Sequence, residues 1–373
     1  MSNSSMYKRI GILFNDRMLR GVAVGKTGQE KLAWYEEAAY RHEVIPVYFR
    51  LEDVDMHSMQ VKAYMRQGKR YVSRKIALPR VIHNRAIYTN PRYDRKIQTI
   101  IDRGYILYNQ VNRYGKITIH EILRKDPYLY PFLPETEIAS EETIHTLMKR
   151  HHSLILKPNN SSVGKGIMKM ERTSRGWQAI YPTTPRLGKQ LWQQQRTTGE
   201  VIPQVILNRI RKTKATYLVQ QTLPLSKYAG RPFDLRVSVQ KCSDRNWNIT
   251  GVVGKVAPTT TFVTNVAQGG AVVPFEQLVG ASLPNFTAEV LLNRVSNFSL
   301  HIAHVLANTL PNVADFGLDI GISPDGCPLF IECNGRDQRY SFKEAKLLQL
   351  WKDTYENPIA YGASLLRSPS SSS

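Results

Sequence analysis

FGLDIGISPDGCPLFIECN, residues 316–334, holds two short apolar runs around a Ser-Pro-Asp-Gly turn, and each run carries misfits. In FGLDIGI (316–322) the misfit is Asp319, flanked by Leu318 and Ile320. In PLFIECN (328–334) the misfits are Glu332 and Asn334. Alternate side chains of a strand face the same way. Phe330, Glu332 and Asn334 are therefore expected on one face, and Leu329, Ile331 and Cys333 on the other. A Glu and an Asn projecting together offer hard oxygen donors of the kind magnesium takes. Asp319 points away from an apolar face, and a carboxylate buried that way is costly unless a cation neutralises it. Register decides whether the three meet. A loop of two or four residues puts Asp319 on the face of Glu332, and a three-residue loop puts it opposite unless a bulge intervenes. The competing reading is a polar face turned to solvent.

A second stretch, LILKPNNSSVGKGI (154–167), joins an apolar run ending in Lys157-Pro158 to a loop of small residues with Gly164, Lys165 and Gly166. Such loops can turn backbone N–H groups toward phosphate oxygens. GVAVGKTG (21–28) is a decoy. A Walker A loop needs four residues between its first glycine and Gly-Lys, whereas Gly21 and Gly25 are separated by three.

The remaining pattern is mixed α and β. YKRIGILFN (7–15), VIPVYF (44–49), LPRVIHNR (78–85) and GYILYN (104–109) read as strands, with helices over 28–43 and around QTIID. That order suggests βαβ units. Helices are expected over 114–125, 141–151 and 284–310, and strands over 217–225, 234–241 and 248–257. Residues 178–214 give a poor signal and read as an insertion with some helix. The lone His301 and His304 read as helix-surface or packing residues.

The net charge of +21 is concentrated: from His57 to Lys125 there are sixteen Lys or Arg against three acids. A second basic stretch runs from Pro185 to Lys214. Such a surplus suits polyanionic partners, or is simply a solvated basic surface. No aromatic-basic reading motif accompanies it, so nucleic acid is not expected as the main partner. No apolar run of about 18 residues can span a bilayer, and the first residues do not form a secretory signal. A cytoplasmic protein is expected, with Cys242, Cys327 and Cys333 reduced.

Taken in order, LILKP, NNSSVGKGI, YLVQQTLP, the DLR strand, GKVA, TNVAQGG, a long helix and D…E-x-N resemble the ATP-grasp superfamily over roughly residues 110–335. PYLYPFLPET, LKPNNSSVGKGI and ENPIAYGASLL are similar to its YheC/YheD group, associated with bacterial endospore coats. The resemblance implies an α/β (α+β) ATP-grasp fold with an N-terminal Rossmann-like domain over 1–110. It implies a small subdomain with the glycine-rich loop and basic insertion over 111–215, a subdomain with the metal site over 216–366, and a disordered tail over 367–373.

It also implies roles. Lys116 and Lys157 would reach the α- and β-phosphates of ATP, under a lid of Ser161, Ser162, Val163, Gly164 and Gly166, with Lys165 as an extra contact. Gln220, Gln221 and Leu223 would lie in the hinge that reads adenine, where many relatives carry a glutamate. Arg236 and Lys255 would face the transferring phosphoryl group; Asp234 has the plainer structural reading of a residue that simply orients Arg236. Asn265 would lie beside the substrate carboxylate, and Asp319, Glu332 and Asn334 would hold Mg²⁺. The implied activity is a ligase that turns a carboxylate into an acyl phosphate for attack by an amine. The alternative is a structural coat protein that keeps the fold and binds nucleotide or acidic partners without turnover. An acidic peptide or wall polymer and spore-coat proteins are the partners this suggests, at the forespore surface or spore coat.

Overall fold

In the computed structural model, which describes residues 8–161, 164–183 and 191–367, apolar runs with both faces covered form the parallel strands of a first sheet. Its members are β1 (Arg9–Leu13), β2 (Ile45–Phe49), β3 (Val54–Asp55), β4 (Gln60–Gln67), β5 (Arg70–Ala77), β6 (Val81–Asn84) and β7 (Ile106–Tyr108). The order is β3-β4-β2-β1-β6-β7, with β5 beside β4. β1 pairs in parallel with β2 and β6, and β6 with β7. The chain thus runs outward in both directions from β1 and β6, through helix Leu32–Arg41 on one side and Pro91–Asp102 on the other. The loops that follow these two strands part there. The reach from 54 to 77, which gave no sequence signal, is an antiparallel hairpin turning at Gly68 (φ 60°).

The second sheet is antiparallel and holds β8 (Thr136–Ile138), β9 (Ser153–Pro158), β10 (Met168–Thr173), β11 (Gly176–Thr183), β12 (Leu191–Arg196) and β13 (Tyr217–Gln221). Its order is β12-β11-β10-β9-β13-β8. Helices Glu141–Arg150 and Gln204–Lys212 bury Ile144, Leu147, Ile206 and Leu207 against it. The stretch read as an insertion therefore supplies two strands of this sheet and a helix. β12, sequence LWQQQR, pairs on one side only and is largely exposed, which is why it lacks an apolar alternation.

The third sheet holds β14 (Lys227–Tyr228), β15 (Arg231–Lys241), β16 (Trp247–Val256), β17 (Ala271–Pro274), β18 (Asp315–Ile322) and β19 (Pro328–Asn334). Its order is β17-β16-β15-β18-β19, with β14 on β15. Phe233, Leu235, Val237 and Val239 of β15 join a core with helices Lys116–Leu123, Phe275–Ser282 and Ala288–Ala307. Thr287 caps the last of these, accepting from the Val290 N–H, and Leu291, Val295, Phe298, Ile302 and Leu306 line its inner face. The other face of β15 carries Asp234, Arg236, Ser238 and Gln240, all buried as well. Helix Leu348–Arg367 meets that face, Gln240 Nε2 donating to the Thr354 carbonyl at 3.1 Å. The same helix places Tyr355, Ile359 and Ala363 in one core with Ile10, Ile12 and Tyr35 of the first sheet region. It thereby ties the first sheet to the third. Among the described residues no helix is long and apolar enough to cross a membrane.

Candidate active site between the second and third sheets

The register of β18 and β19 answers the question their sequences pose. Ile322 pairs with Pro328, Gly321 with Leu329 and Ile320 with Phe330; the register then shifts, and Asp319 pairs with Glu332. Without that shift Glu332 would fall on the face opposite Asp319. Ile331 is the extra residue of a bulge, a device that re-aims the side chains beyond it. The bulge also corrects one expectation. Phe330 does not share a face with Glu332; it turns into the core with Ile320, and Cys333 packs against the same core. Burial pushes the Cys333 thiol well up from its ordinary range.

Across the sheet, Arg236 pairs with Asp319 on one side, and Asp234 pairs with Lys255 on the other. A ladder of charge results. Arg236 Nε lies 3.0 Å from Asp319 Oδ1, and its Nη1 lies 3.5 Å from Asp337 Oδ1. Lys255 Nζ sits between Asp234 Oδ1 at 2.8 Å and Asp319 Oδ1 at 2.9 Å. Asp234 takes Lys255 and the Thr264 hydroxyl as partners, so the group that orients Arg236 from behind is Asp337, itself held by Ser238 at 2.6 Å. Asp337 follows Asn334 by three residues outside any strand, and alternation could not single it out.

These ion pairs set the charge states. Burial pushes the Asp319 carboxyl up, but Arg236 and Lys255 together hold it below the usual carboxylate range. Burial works against the Lys255 ammonium too, yet Asp234 and Asp319 keep its pKa above the ordinary lysine value. Asp234 and Asp337 are both raised, mainly by burial.

Two further lysines reach the same place, one from the helix Lys116–Leu123 and one from the second sheet. Lys116 Nζ, from the start of helix Lys116–Leu123, donates to the Ser161 carbonyl at 2.8 Å and lies 3.5 Å from Glu332 Oε1. Lys157, on β9, is 5% exposed and donates to the Ile331 carbonyl at 3.3 Å, the carbonyl of the bulged residue. Among the described residues it makes no ion pair, and burial pushes its pKa down to about 8. Gly164 and Gly166 both have left-handed backbone (φ 69° and 77°), which favours glycine. A Cβ at Gly164 would come within 2.8 Å of Gln268 Nε2, so this loop rests on the 263–270 loop of the third sheet. Lys165 is exposed. Ser162 and Val163 lie outside the described residues.

The other expected residues are placed as follows. Gln220 is buried and donates from Nε2 to Thr136 Oγ1 at 2.7 Å. Gln221 accepts at Oε1 from the Glu135 N–H, and its own N–H donates to the Glu135 carbonyl. Leu223 is half-buried just beyond β13. Asn265 lies on the loop after β16, its carbonyl accepting from Gln268 and Gly270. Asn334 donates from Nδ2 to the Gly317 carbonyl at 3.2 Å. His301 pairs with Asp126 at the surface of helix Ala288–Ala307.

The donor set fits magnesium. Among the described residues no three His, Cys, Asp or Glu side chains cluster as a full metal cage. Magnesium does not need one; it takes one or two carboxylates and completes its shell with water and phosphate oxygens. Asp319 and Glu332, directly opposite one another with Asn334 alongside, would supply that. The cleft between the sheets is narrow. A cavity of about 10 Å³ lies among Lys116, Lys157, Gln220, Phe330 and Glu332. A neighbouring one of about 100 Å³ lies along Arg113, Ser161, Asn334 and Arg336.

An antiparallel sheet whose lysine closes over a carboxylate ladder on the third sheet, with a helix lysine beside it, is the arrangement of an ATP-grasp protein. The VanG D-Ala:D-Ser ligase from Enterococcus faecalis has the same fold, with a TM-score of 0.51 at 11% identity over 95% of this chain and 99% of that one. The chain belongs to the YheC/D-like ATP-grasp family, whose pattern it matches over residues 105–365. It is 22% identical to the endospore coat-associated protein YheD of Bacillus subtilis over 92% of this chain and 76% of that protein. It is 21% identical to YheC of the same organism over 78% and 79%.

Proposed function

We propose that the protein is an ATP- and Mg²⁺-dependent ligase that joins a carboxylate to an amine, and that it serves the endospore coat or envelope, as the names of its relatives suggest. The observation that carries this reading is the pairing of Asp319 with Glu332 across a bulged register, with Lys116, Lys157, Arg236 and Lys255 gathered around them. A scaffold has no physical use for Lys157 in particular, a buried ammonium that among the described residues makes no ion pair, since a buried charge costs stability unless it is paired.

In this reading a substrate carboxylate oxygen attacks the γ-phosphorus of ATP, the bond to the β-phosphate oxygen breaks, and ADP leaves. The amine nitrogen then attacks the acyl carbon, the carbon–oxygen bond to phosphate breaks, and the nitrogen sheds a proton. Lys116 and Lys157 hold the phosphates. Arg236, fixed from two sides by Asp319 and Asp337, and Lys255, kept protonated by two carboxylates, offset the negative charge that spreads over the transferring group. Asp319, Glu332 and Asn334 would hold magnesium, which when bound neutralises and orients phosphate oxygens. The protein's part is positioning and charge, because an acyl phosphate is itself reactive.

Calorimetric titration of ATP with and without Mg²⁺ tests the site, and Glu332→Gln tests its chemistry. The variant is expected to fold, to lose the magnesium dependence of binding, and to turn over ATP at least 100-fold more slowly. Unchanged turnover would remove Glu332 from the reaction.

A further inference from the structure

A cavity of about 660 Å³ opens where the loops after β1 and β6 part, well inside the size range of small-molecule sites. In open sheets with parallel strands, ligands bind in that crevice at the strands' carboxyl ends. Its walls are the loop from Asn15 to Glu30, Arg85 at the end of β6, the 336–339 segment just beyond β19, and Tyr355. Five of the lining residues are cationic: Arg17, Lys26, Arg85, Arg336 and Arg339. Two are acidic, Glu30 and Asp337.

The acids are already spoken for. Glu30 is 2.9 Å from Arg85 and 3.6 Å from Arg339, which lies over the rings of Tyr35 and Tyr355. Asp337 belongs to Arg236 and Ser238. Among the described residues Arg17, Lys26 and Arg336 make no ion pair, and Arg336 donates only to the Arg85 carbonyl, at 3.1 Å. Three unpaired cations therefore share one cavity. Arg336 also lines the smaller cavity beside Lys116, Glu332 and Asn334, so it stands between this space and the phosphate site.

We infer that this cavity binds the carboxylate substrate, and that the substrate is polyanionic: one carboxylate reaches past Arg336 to be phosphorylated while at least one more is held by Arg17, Lys26 and Arg336. An acidic peptide of two or three residues fits the volume. The inference deepens the ligase reading and rests on it for the fate of the first carboxylate. It rests on the cavity alone for binding.

The test is calorimetric titration of the full chain with triglutamate, triglutamine and inorganic tripolyphosphate, alongside a separate titration with ATP and Mg²⁺. Triglutamate is expected to bind at least tenfold more tightly than triglutamine. Its affinity is expected to fall at least tenfold in the Arg17→Gln, Lys26→Gln double variant, whose two residues are exposed, and likewise in Arg336→Gln. Equal binding of the two peptides, no binding of either, or unchanged affinity in both variants overturns the site. Tripolyphosphate displacing triglutamate overturns the carboxylate assignment. Charge-dependent triglutamate binding with no ATP binding would sink the ligase reading and leave this site standing; the reverse result would sink the site alone.

Discussion

Lys157 shows what a single side chain can report. Its ammonium is buried with a backbone carbonyl for company, and burial lowers its pKa to about 8, from an ordinary value near ~10.4. In the role proposed for it, holding phosphate needs the charged form and would raise this pKa in the complex. Below pH 8 the lysine is protonated before and after binding. Above it, binding must take up a proton, so ATP affinity falls as pH rises, by up to tenfold per unit. Calorimetry at pH 7 and 9, in buffers of different ionisation enthalpy, is expected to find proton uptake only at the higher pH. Lys157→Met should erase that difference, and a wild-type affinity flat from pH 7 to 9 would mean another group holds the phosphates. The same shift acts on folding. Between about pH 8 and 10.4 the unfolded chain binds more protons at this residue, so its contribution to stability rises with pH over that window.

At the scale of elements, the third sheet depends on small residues where charged side chains cross it. A Cβ on Gly317 of β18 would meet Arg236 Nη1 at 2.5 Å and Asp337 Oδ1 at 2.6 Å. Gly317→Ala must push the guanidinium off its two carboxylates. The expected result is native far-ultraviolet circular dichroism, ATP affinity within a few-fold of wild type, and turnover at least 100-fold lower; full turnover would show that Arg236 has room to spare. Sequence made β15, β18 and β19 legible because each alternates apolar residues toward a core with charged residues toward a ladder. It left the bulge at Ile331 open, since an extra residue changes pairing without changing composition. Asp337 and the Arg85–Glu30–Arg339 cluster were also out of reach, because they meet only when the first and third sheets pack together. β12 was missed because an edge strand of glutamines has no buried face to advertise.

At the scale of the whole molecule, the cleft is nearly shut: about 10 Å³ lies where Lys116, Lys157 and Gln220 converge, space for roughly one water. With the neighbouring cavity of only about 100 Å³, the proposed nucleotide site calls for the second sheet to move off the third before a nucleotide enters. Rates of binding of a fluorescent ATP analogue, measured by stopped flow, are therefore expected to level off with concentration at the rate of opening. A rate that climbs linearly throughout would show an open cleft in solution. The helix Leu348–Arg367 makes a different demand on the molecule. Its Pro358 carbonyl receives the Tyr108 hydroxyl across 250 residues of sequence, and its Tyr355 and Ile359 complete the core around Ile10 and Ile12. On the ribosome, the first sheet emerges early and must wait for that helix to be translated before its core can close. At some 5–20 residues per second, that wait is on the order of tens of seconds, during which Ile10, Ile12 and Tyr35 have no Tyr355 and Ile359 to cover them.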